Sequence, residues 1–426
     1  MRSHVTGATR SRRSAPADGV RVTSSAQAAS SALRTRTLRV GICGLGVAFA
    51  HIAAAMRPGA VFEFAAAMDS RPAALDAFRR DFGGRVYDDF EELCRDPEID
   101  AVYIATPNAA HAQQAIVAAS SGKHVVVDKP LALSVEECEA MNHAAAENGV
   151  ILVCGHLHSY GPAVRAMRRL IASGELGGVR MINTWHFNEW VYRPRAAWEF
   201  DPNAGGNVVF NQGAHQVDVV RLLGGGMVRS VRAMVGRWDA SRPIDGAYST
   251  FLDFEDGTVA SLVYNGYAHF DTAELTSWAG EMPRSATWNT EARGRLEAMT
   301  GPASESAAKD AWRFGAAASA GIEDPGEPPH VLFGLTVVSC ERGDIRQTPA
   351  GLKVYGDRDV YEIPVANDTN FSIAALENLY DALVHGRPVL RDGRWGEATI
   401  EVLNAMTRSS ATRTEVPLSH QISSVE

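Results

Sequence analysis

Cysteine is scarce. The 426 residues contain five, at positions 43, 94, 138, 154 and 340. Their number is odd, their spacings are long, and no CxxC pair or histidine-rich cluster accompanies them. Neither a disulfide framework nor a metal site is suggested. Buried reduced thiols in a cytoplasmic protein are the simpler expectation. Long apolar runs are also missing: none reaches the roughly 18 residues of a spanning helix, so no membrane partner is expected. Cations are outnumbered, 41 Lys and Arg against 50 Asp and Glu. The resulting charge of −9 argues against nucleic acid or an anionic membrane as the main partner. A chain that is 46% hydrophobic and 21% charged is neither collagen, coiled coil nor disordered throughout. At roughly 100–200 residues per domain, its length suggests two to four.

The charge is uneven. Residues 1–36 hold seven Arg, no Lys and one acid, Asp18, a local +6 that leaves −15 on the rest. This head is rich in Ser, Ala and Thr and has no apolar period, so a disordered basic tail is expected. Its Ser-Arg-Arg-Ser at 11–14 hints at an export signal, but the apolar stretch of about 7–15 residues that should follow is missing. A transit peptide or a functionless extension would share this composition.

Between 37 and 155 short apolar runs alternate with helical stretches. Strands are expected at 38–43, 62–68, 101–105, 124–127 and 150–154, with helices at 47–56, 71–82, 109–121 and 134–148. Ser134 with Glu137 forms a capping box. This alternation means βαβ units and a doubly wound parallel sheet of Rossmann type. Beyond 155 the style changes. Strands are expected at 179–187, 228–238, 247–254, 258–264, 332–340 and 352–363, with helices at 162–173, 213–223, 371–384 and 395–409. Residues 156–426 thus read as an α+β domain with an open, mainly antiparallel sheet. The stretch 268–330 has weak periodicity and reads as an insertion or lid.

Gly44 and Gly46 lie in Gly-Ile-Cys-Gly-Leu-Gly-Val-Ala-Phe-Ala, 41–50, between a strand and a helix. Gly44 permits a tight turn, and Gly46 lets the N–H groups at Val47 and Ala48 approach a pyrophosphate. The third motif position should be Gly or Ala, yet it is Phe49. A structural turn with no ligand would use the same glycines. Asp69 ends the next strand, 25 residues after Gly44. An acid there accepts from both ribose hydroxyls and repels a 2'-phosphate, which favours NAD over NADP. Arg71 nearby keeps NADP open, and Asp69 could instead cap a helix before Pro72. Two more segments sit at strand ends: Thr106-Pro107-Asn108-Ala109-Ala110-His111 and Asp128-Lys129-Pro130. A lysine fixed directly after a buried strand suits proton transfer or polarisation of an oxygen.

These motifs, in this order, resemble the Gfo/Idh/MocA family of nicotinamide oxidoreductases. The likeness runs on through Gly205-Gly206-Asn207 and through 211–218, Asn-Gln-Gly-Ala-His-Gln-Val-Asp. It implies a Rossmann domain plus an open-sheet domain, and packing of copies through the second sheet into a homo-oligomer, a dimer or tetramer. It implies cofactor contacts at Gly44, Gly46, Val47, Ala48, Asp69, Thr106, Asn108, His111, Asp128 and Lys129. The family's catalytic Lys falls on Lys129, its catalytic His on His215 and its Asp on Asn211. Asp128 stands where the family usually has Glu. Asn211 can orient a hydroxyl but cannot share a proton.

On the substrate side stand His156, His158 and the segment 187–195, which joins three aromatics to Arg193 and Arg195. The two arginines are two apart, so both can face one side of an extended segment, where paired guanidinium forks suit carboxylates. Val191–Arg195, Phe333–Gln347 and Leu418–Gln421 resemble the subgroup that contains phthalate 4,5-cis-dihydrodiol dehydrogenase. That likeness implies an anionic cyclic cis-diol as substrate. A sugar or inositol dehydrogenase is the nearer rival. A non-catalytic nucleotide-binding regulator, suggested by Phe49 and Asn211, is the more distant one.

Overall fold

The computed structural model describes residues 37–155, 158–201, 204–280, 287–299, 301–316, 330, 332–367 and 369–425. The basic head 1–36, His156, and parts of the 268–330 stretch lie outside the described residues.

The first sheet has six strands: β1 (Leu38–Cys43), β2 (Phe62–Met68), β3 (Arg85–Tyr87), β4 (Ala101–Ile104), β5 (His124–Asp128) and β6 (Leu152–Gly155). They are all parallel, in the order β3-β2-β1-β4-β5-β6. Burial on both faces explains why these strands read as continuous apolar runs; Ala101–Ile104 is buried at every position. The order reverses between β1 and β4, which opens a crevice at their C-terminal ends. Helices Val47–Ala54, Pro72–Phe82, His111–Ser120 and Val135–Glu147 connect the strands. The Ser134–Glu137 capping box is present. Strand β3 is three residues long and partly exposed, too short and too polar to leave a pattern in the sequence.

The second sheet has nine strands: β7 (Val179–Phe187), β8 (Val228–Gly236), β9 (Ala247–Phe254), β10 (Val259–Asn265), β11 (Leu335–Cys340), β12 (Gly343–Thr348), β13 (Gly351–Gly356), β14 (Val360–Pro364) and β15 (Val416–Pro417). Their order is β14-β13-β12-β11-β7-β10-β9-β8-β15. The sheet is antiparallel except where β10 runs parallel to β7. The single run expected at 352–363 is a hairpin, β13 and β14, because Gly356 turns the chain to Asp359. Strand β12 is an unforeseen addition, with buried Ile345 among charged neighbours.

One helix crosses the expected boundary. Ala374–His385 follows most of the second sheet, yet its Leu376 and Leu379 join the core of the first, with Val40, Ile42 and Tyr103. The long helix Gly393–Thr412 instead carries the C-terminal tail. Its Glu401 accepts from the backbone of Ser419 and His420 and from the Gln421 amide. His420 also bonds Glu397 at 3.0 Å and lies 3.8 Å from Glu139.

Candidate active site

The glycine loop is shaped by close approach. Gly44 has φ +94°, and a Cβ there would lie 2.8 Å from the Ala105 carbonyl oxygen of the neighbouring strand end. Gly46 starts helix Val47–Ala54 without a side-chain cap, and the first turn holds no acid. The first N–H groups of an α-helix have no intrahelical partner, and a start without cap or acid suits an anion. Phe49 is fully buried between Phe64 and Phe78. It contributes core packing rather than disturbing the turn, and burying it stabilises the helix by about 2–3 kcal/mol.

Asp69 closes the loop from the second strand. It accepts from Leu45 N at 2.7 Å and Arg71 N at 2.8 Å. Arg71 folds back onto it, Nε to Oδ1 at 3.1 Å, and also donates to the Leu45 carbonyl. Asp69 is thus not the helix cap: Arg71 occupies that position. The residues of this cradle suit a dinucleotide in kind: Gly44 and Gly46 leave room beside a helix start, and Asp69 offers a carboxylate beside it.

The two strand-end motifs are cross-tied. His111 is buried, with Nδ1 2.8 Å from the Pro130 carbonyl and Nε2 2.9 Å from the Thr106 carbonyl. Burial pulls its pKa below the usual histidine value, against the two carbonyls. The ring joins the loop after β4 to the lysine loop after β5, which is a positioning role. Thr106 Oγ1 donates to Gln114 at 2.5 Å, and Asn108 donates to the Gly205 carbonyl at 3.3 Å. Burial raises the Asp128 carboxyl pKa, with Lys129 opposing.

Lys129 Nζ donates to the Asn211 main-chain carbonyl at 3.0 Å. Asn211 belongs to a π turn, Val209–Gly213, that leads directly into helix Ala214–Leu223. His215 lies four residues further on. The Asn211 side-chain oxygen accepts from Gln212 Nε2 at 2.7 Å and Trp190 Nε1 at 3.3 Å. His215 is 6% exposed. Its ring meets His158 edge to face at 4.5 Å and Phe333 at 5.3 Å. The helix is locked from behind by Asp218, which accepts from Trp395 Nε1 at 2.6 Å. A cavity beside this cluster is lined by His158, Thr184, Gln216, Phe333 and Phe371.

Comparison with known proteins identifies the family. Residues 38–156 match the model of the oxidoreductase family's NAD-binding Rossmann fold, and 164–280 match the GFO/IDH/MocA C-terminal domain. The chain is 36% identical over 380 residues to a 1-carboxy-3-chloro-3,4-dihydroxycyclohexa-1,5-diene dehydrogenase of Comamonas testosteroni, covering 87% of this chain and 94% of that one. It belongs to the Gfo/Idh/MocA family. A scyllo-inositol 2-dehydrogenase (NADP+) of Bacillus subtilis (strain 168) is 29% identical, over 54% of this chain and 63% of that one. A crystal structure from Bordetella bronchiseptica RB50 superposes with TM-score 0.82 at 35% identity, covering 90% of this chain and all of that one. This Gfo/Idh/MocA protein is an oxidoreductase that uses NAD.

On the substrate side, this family member departs from the open arginine pair its sequence suggests. Arg195 is 4% exposed and lies 3.7 Å over the Trp190 ring. It donates to the Trp190 carbonyl at 2.6 Å and to Glu199 at 3.4 Å. Burial lowers its pKa to about 10, with Glu199 opposing. Arg193 pairs with Glu189 at 3.0 Å and keeps 18% of its side chain exposed. A 3-10 turn, Trp190–Tyr192, ends just before the pair, and the Arg195 side chain folds back over Trp190 in that turn. Trp190 itself, which joins Arg195 to Asn211, carried no sequence signal beyond the local run of aromatics.

Proposed function

We propose that this protein oxidises a cyclic cis-dihydrodiol bearing a ring carboxylate, giving the corresponding catechol. The observation that carries the reading is the bond from Lys129 to the Asn211 carbonyl, which ties the lysine loop to the turn that presents His215. When bound, NAD supplies the hydride acceptor. The work of the chain is then to hold the diol and move its proton. His215 takes the proton of the reacting hydroxyl, general-base work for which an imidazole is suited. Lys129 polarises the same oxygen, and Asn211 fixes where the ammonium sits. His158, Phe333 and Phe371 exclude water around His215. The ketone so formed from a cyclohexadiene diol tautomerises to a catechol, and aromaticity draws the reaction forward.

The Comamonas testosteroni relative, similar along nearly its whole length, supports a dihydrodiol over a polyol; the inositol enzyme matches 54% of this chain and 63% of its own. Phthalate 4,5-cis-dihydrodiol, giving 4,5-dihydroxyphthalate, is the substrate suggested by Val191–Arg195. Arg195 is buried against Glu199, and Arg193, though paired with Glu189, keeps 18% of its side chain exposed; one partly exposed guanidinium suits a single ring carboxylate at least as well as two. NADH formation across phthalate cis-dihydrodiol, a monocarboxylated dihydrodiol, an uncarboxylated one, myo-inositol and glucose tests the reading. Preference for a carboxylated diol supports it; preference for inositol overturns it.

The outer face of the second sheet is the surface on which we place self-association. Met181 and Trp185 on β7 and Phe251 on β9 are 45%, 46% and 47% exposed, while the alternate residues Ile182 and Leu252 are buried. A second copy of the chain is the occupant in this reading, giving a cytoplasmic homodimer or tetramer.

A further inference from the structure

The stretch that reads as an insertion contains two helices, Trp288–Glu297 and Pro302–Asp310. The segment 304–316 touches two places that the fold otherwise keeps apart. At one end Glu305 forms a two-pronged ion pair with Arg242, at 2.8 and 2.9 Å, and accepts from the Arg195 backbone at 2.9 Å. Lys309 pairs with Glu199 at 3.3 Å. Arg195, which Glu305 and Glu199 both contact, lies over the Trp190 ring, and Trp190 reaches Asn211. At the other end the Phe314 ring meets Phe49 at 5.0 Å, edge to face, and Phe82 at 5.9 Å. The Phe314 N–H points to the Gly46 carbonyl at 3.4 Å. Gly315, at φ +77°, lets the chain run against helix Pro72–Phe82: a Cβ there would be 3.0 Å from the Ala77 Cβ.

We propose that residues 304–316 are a strap that sets dinucleotide affinity by holding the glycine loop, with Phe314 and Phe49 as paired positioning residues. The sequence anomaly at position 49 then has a purpose. A Gly or Ala in that place would leave Phe314 without its edge-to-face partner, and the strap would lose its seat on the cofactor helix. The carbonyl of Gly46 accepts both from Ala50, at 3.2 Å, and from Phe314, so the strap acts on the peptide that starts the pyrophosphate-binding turn. Neither phenylalanine is placed to touch the cofactor. They act by limiting the positions the helix N-terminus can take, which reduces the ordering cost of binding. The inference rests on the NAD-binding domain and not on the identity of the diol.

The test is fluorescence titration of NADH into the full chain and into Phe314→Ala, Phe49→Ala and the double variant, without substrate. We expect each single variant to bind NADH about tenfold more weakly, and the double variant to be little worse than either. Phe314→Leu should recover part of the loss. Should Phe49→Ala fail to fold, Phe314→Ala and Phe314→Leu decide the matter alone. Unchanged NADH affinity in Phe314→Ala, with only a lowered melting temperature, would overturn the proposal. So would losses that multiply in the double variant.

Discussion

Lys129 Nζ sits 3.0 Å from the main-chain oxygen of Asn211, 82 residues away and beyond the end of the Rossmann sheet. That bond joins the two segments in which the proposed function puts proton transfer. Replacing Lys129 with Met should lower kcat by about a thousandfold while NADH affinity changes less than about threefold. Steady-state kinetics beside NADH titration separates the two effects. Lys129→Arg should not restore activity, because a guanidinium cannot occupy the position of a compact ammionium-type point charge. Asn211→Asp should retain most activity, since a carboxylate accepts equally well from Trp190 and Gln212.

The Rossmann half was legible because its strands are buried on both faces and its turns use residues with strong local preferences, Gly44 and Ser134 among them. Motif order picked out Lys129, Asn211 and His215 as candidates, and the bond of Lys129 to the Asn211 carbonyl joins two of those motifs. Other features could not be read. Arg193 and Arg195 alternate in sequence, but a 3-10 turn and the acids Glu189 and Glu199 decide where they go, and partners distant in sequence leave no local pattern. Phe49 looked like a defect because its function depends on Phe314, 265 positions further on. Helix Ala374–His385 reads as amphipathic in sequence, yet nothing in its own residues says which of the two sheets it covers.

Asp69 should govern the choice of cofactor. It accepts from the Leu45 N–H and holds Arg71 at 3.1 Å. Asp69→Ser removes the charge that repels a 2'-phosphate and releases Arg71 toward it. The ratio of kcat/KM for NAD over NADP should fall by about tenfold or more. An unchanged ratio would place ribose recognition elsewhere.

His124 should make the fold sensitive to acid. Its Nδ1 accepts from the Ile151 N–H at 3.0 Å, which only the neutral ring can do, and burial lowers its pKa from 6.5 to about 4. The unfolded chain therefore binds this proton first as pH falls. Stability is full above about pH 6.5 and declines toward pH 4, by up to about 1.4 kcal/mol per pH unit. His124→Asn, whose amide oxygen can accept the same N–H, should flatten the fall in melting temperature over that window. An unaltered slope would assign the acid sensitivity to other groups.

Trp185 should control self-association. It is 46% exposed on the outer face of β7, next to Val263 of β10 in register. Trp185→Arg places a charge in the middle of the apolar face and should shift the sedimentation profile toward monomer. A wild-type chain that sediments as a monomer, or a variant with unchanged mass, would contradict the assignment of that face.

If Lys129 and His215 serve a ring-carboxylated cis-dihydrodiol, NADH absorbance with that diol and with myo-inositol at equal concentration will show it. The expected kcat/KM for the diol is at least about a hundredfold higher, and that rate should be lost in His215→Asn. Equal or better turnover of myo-inositol would contradict it.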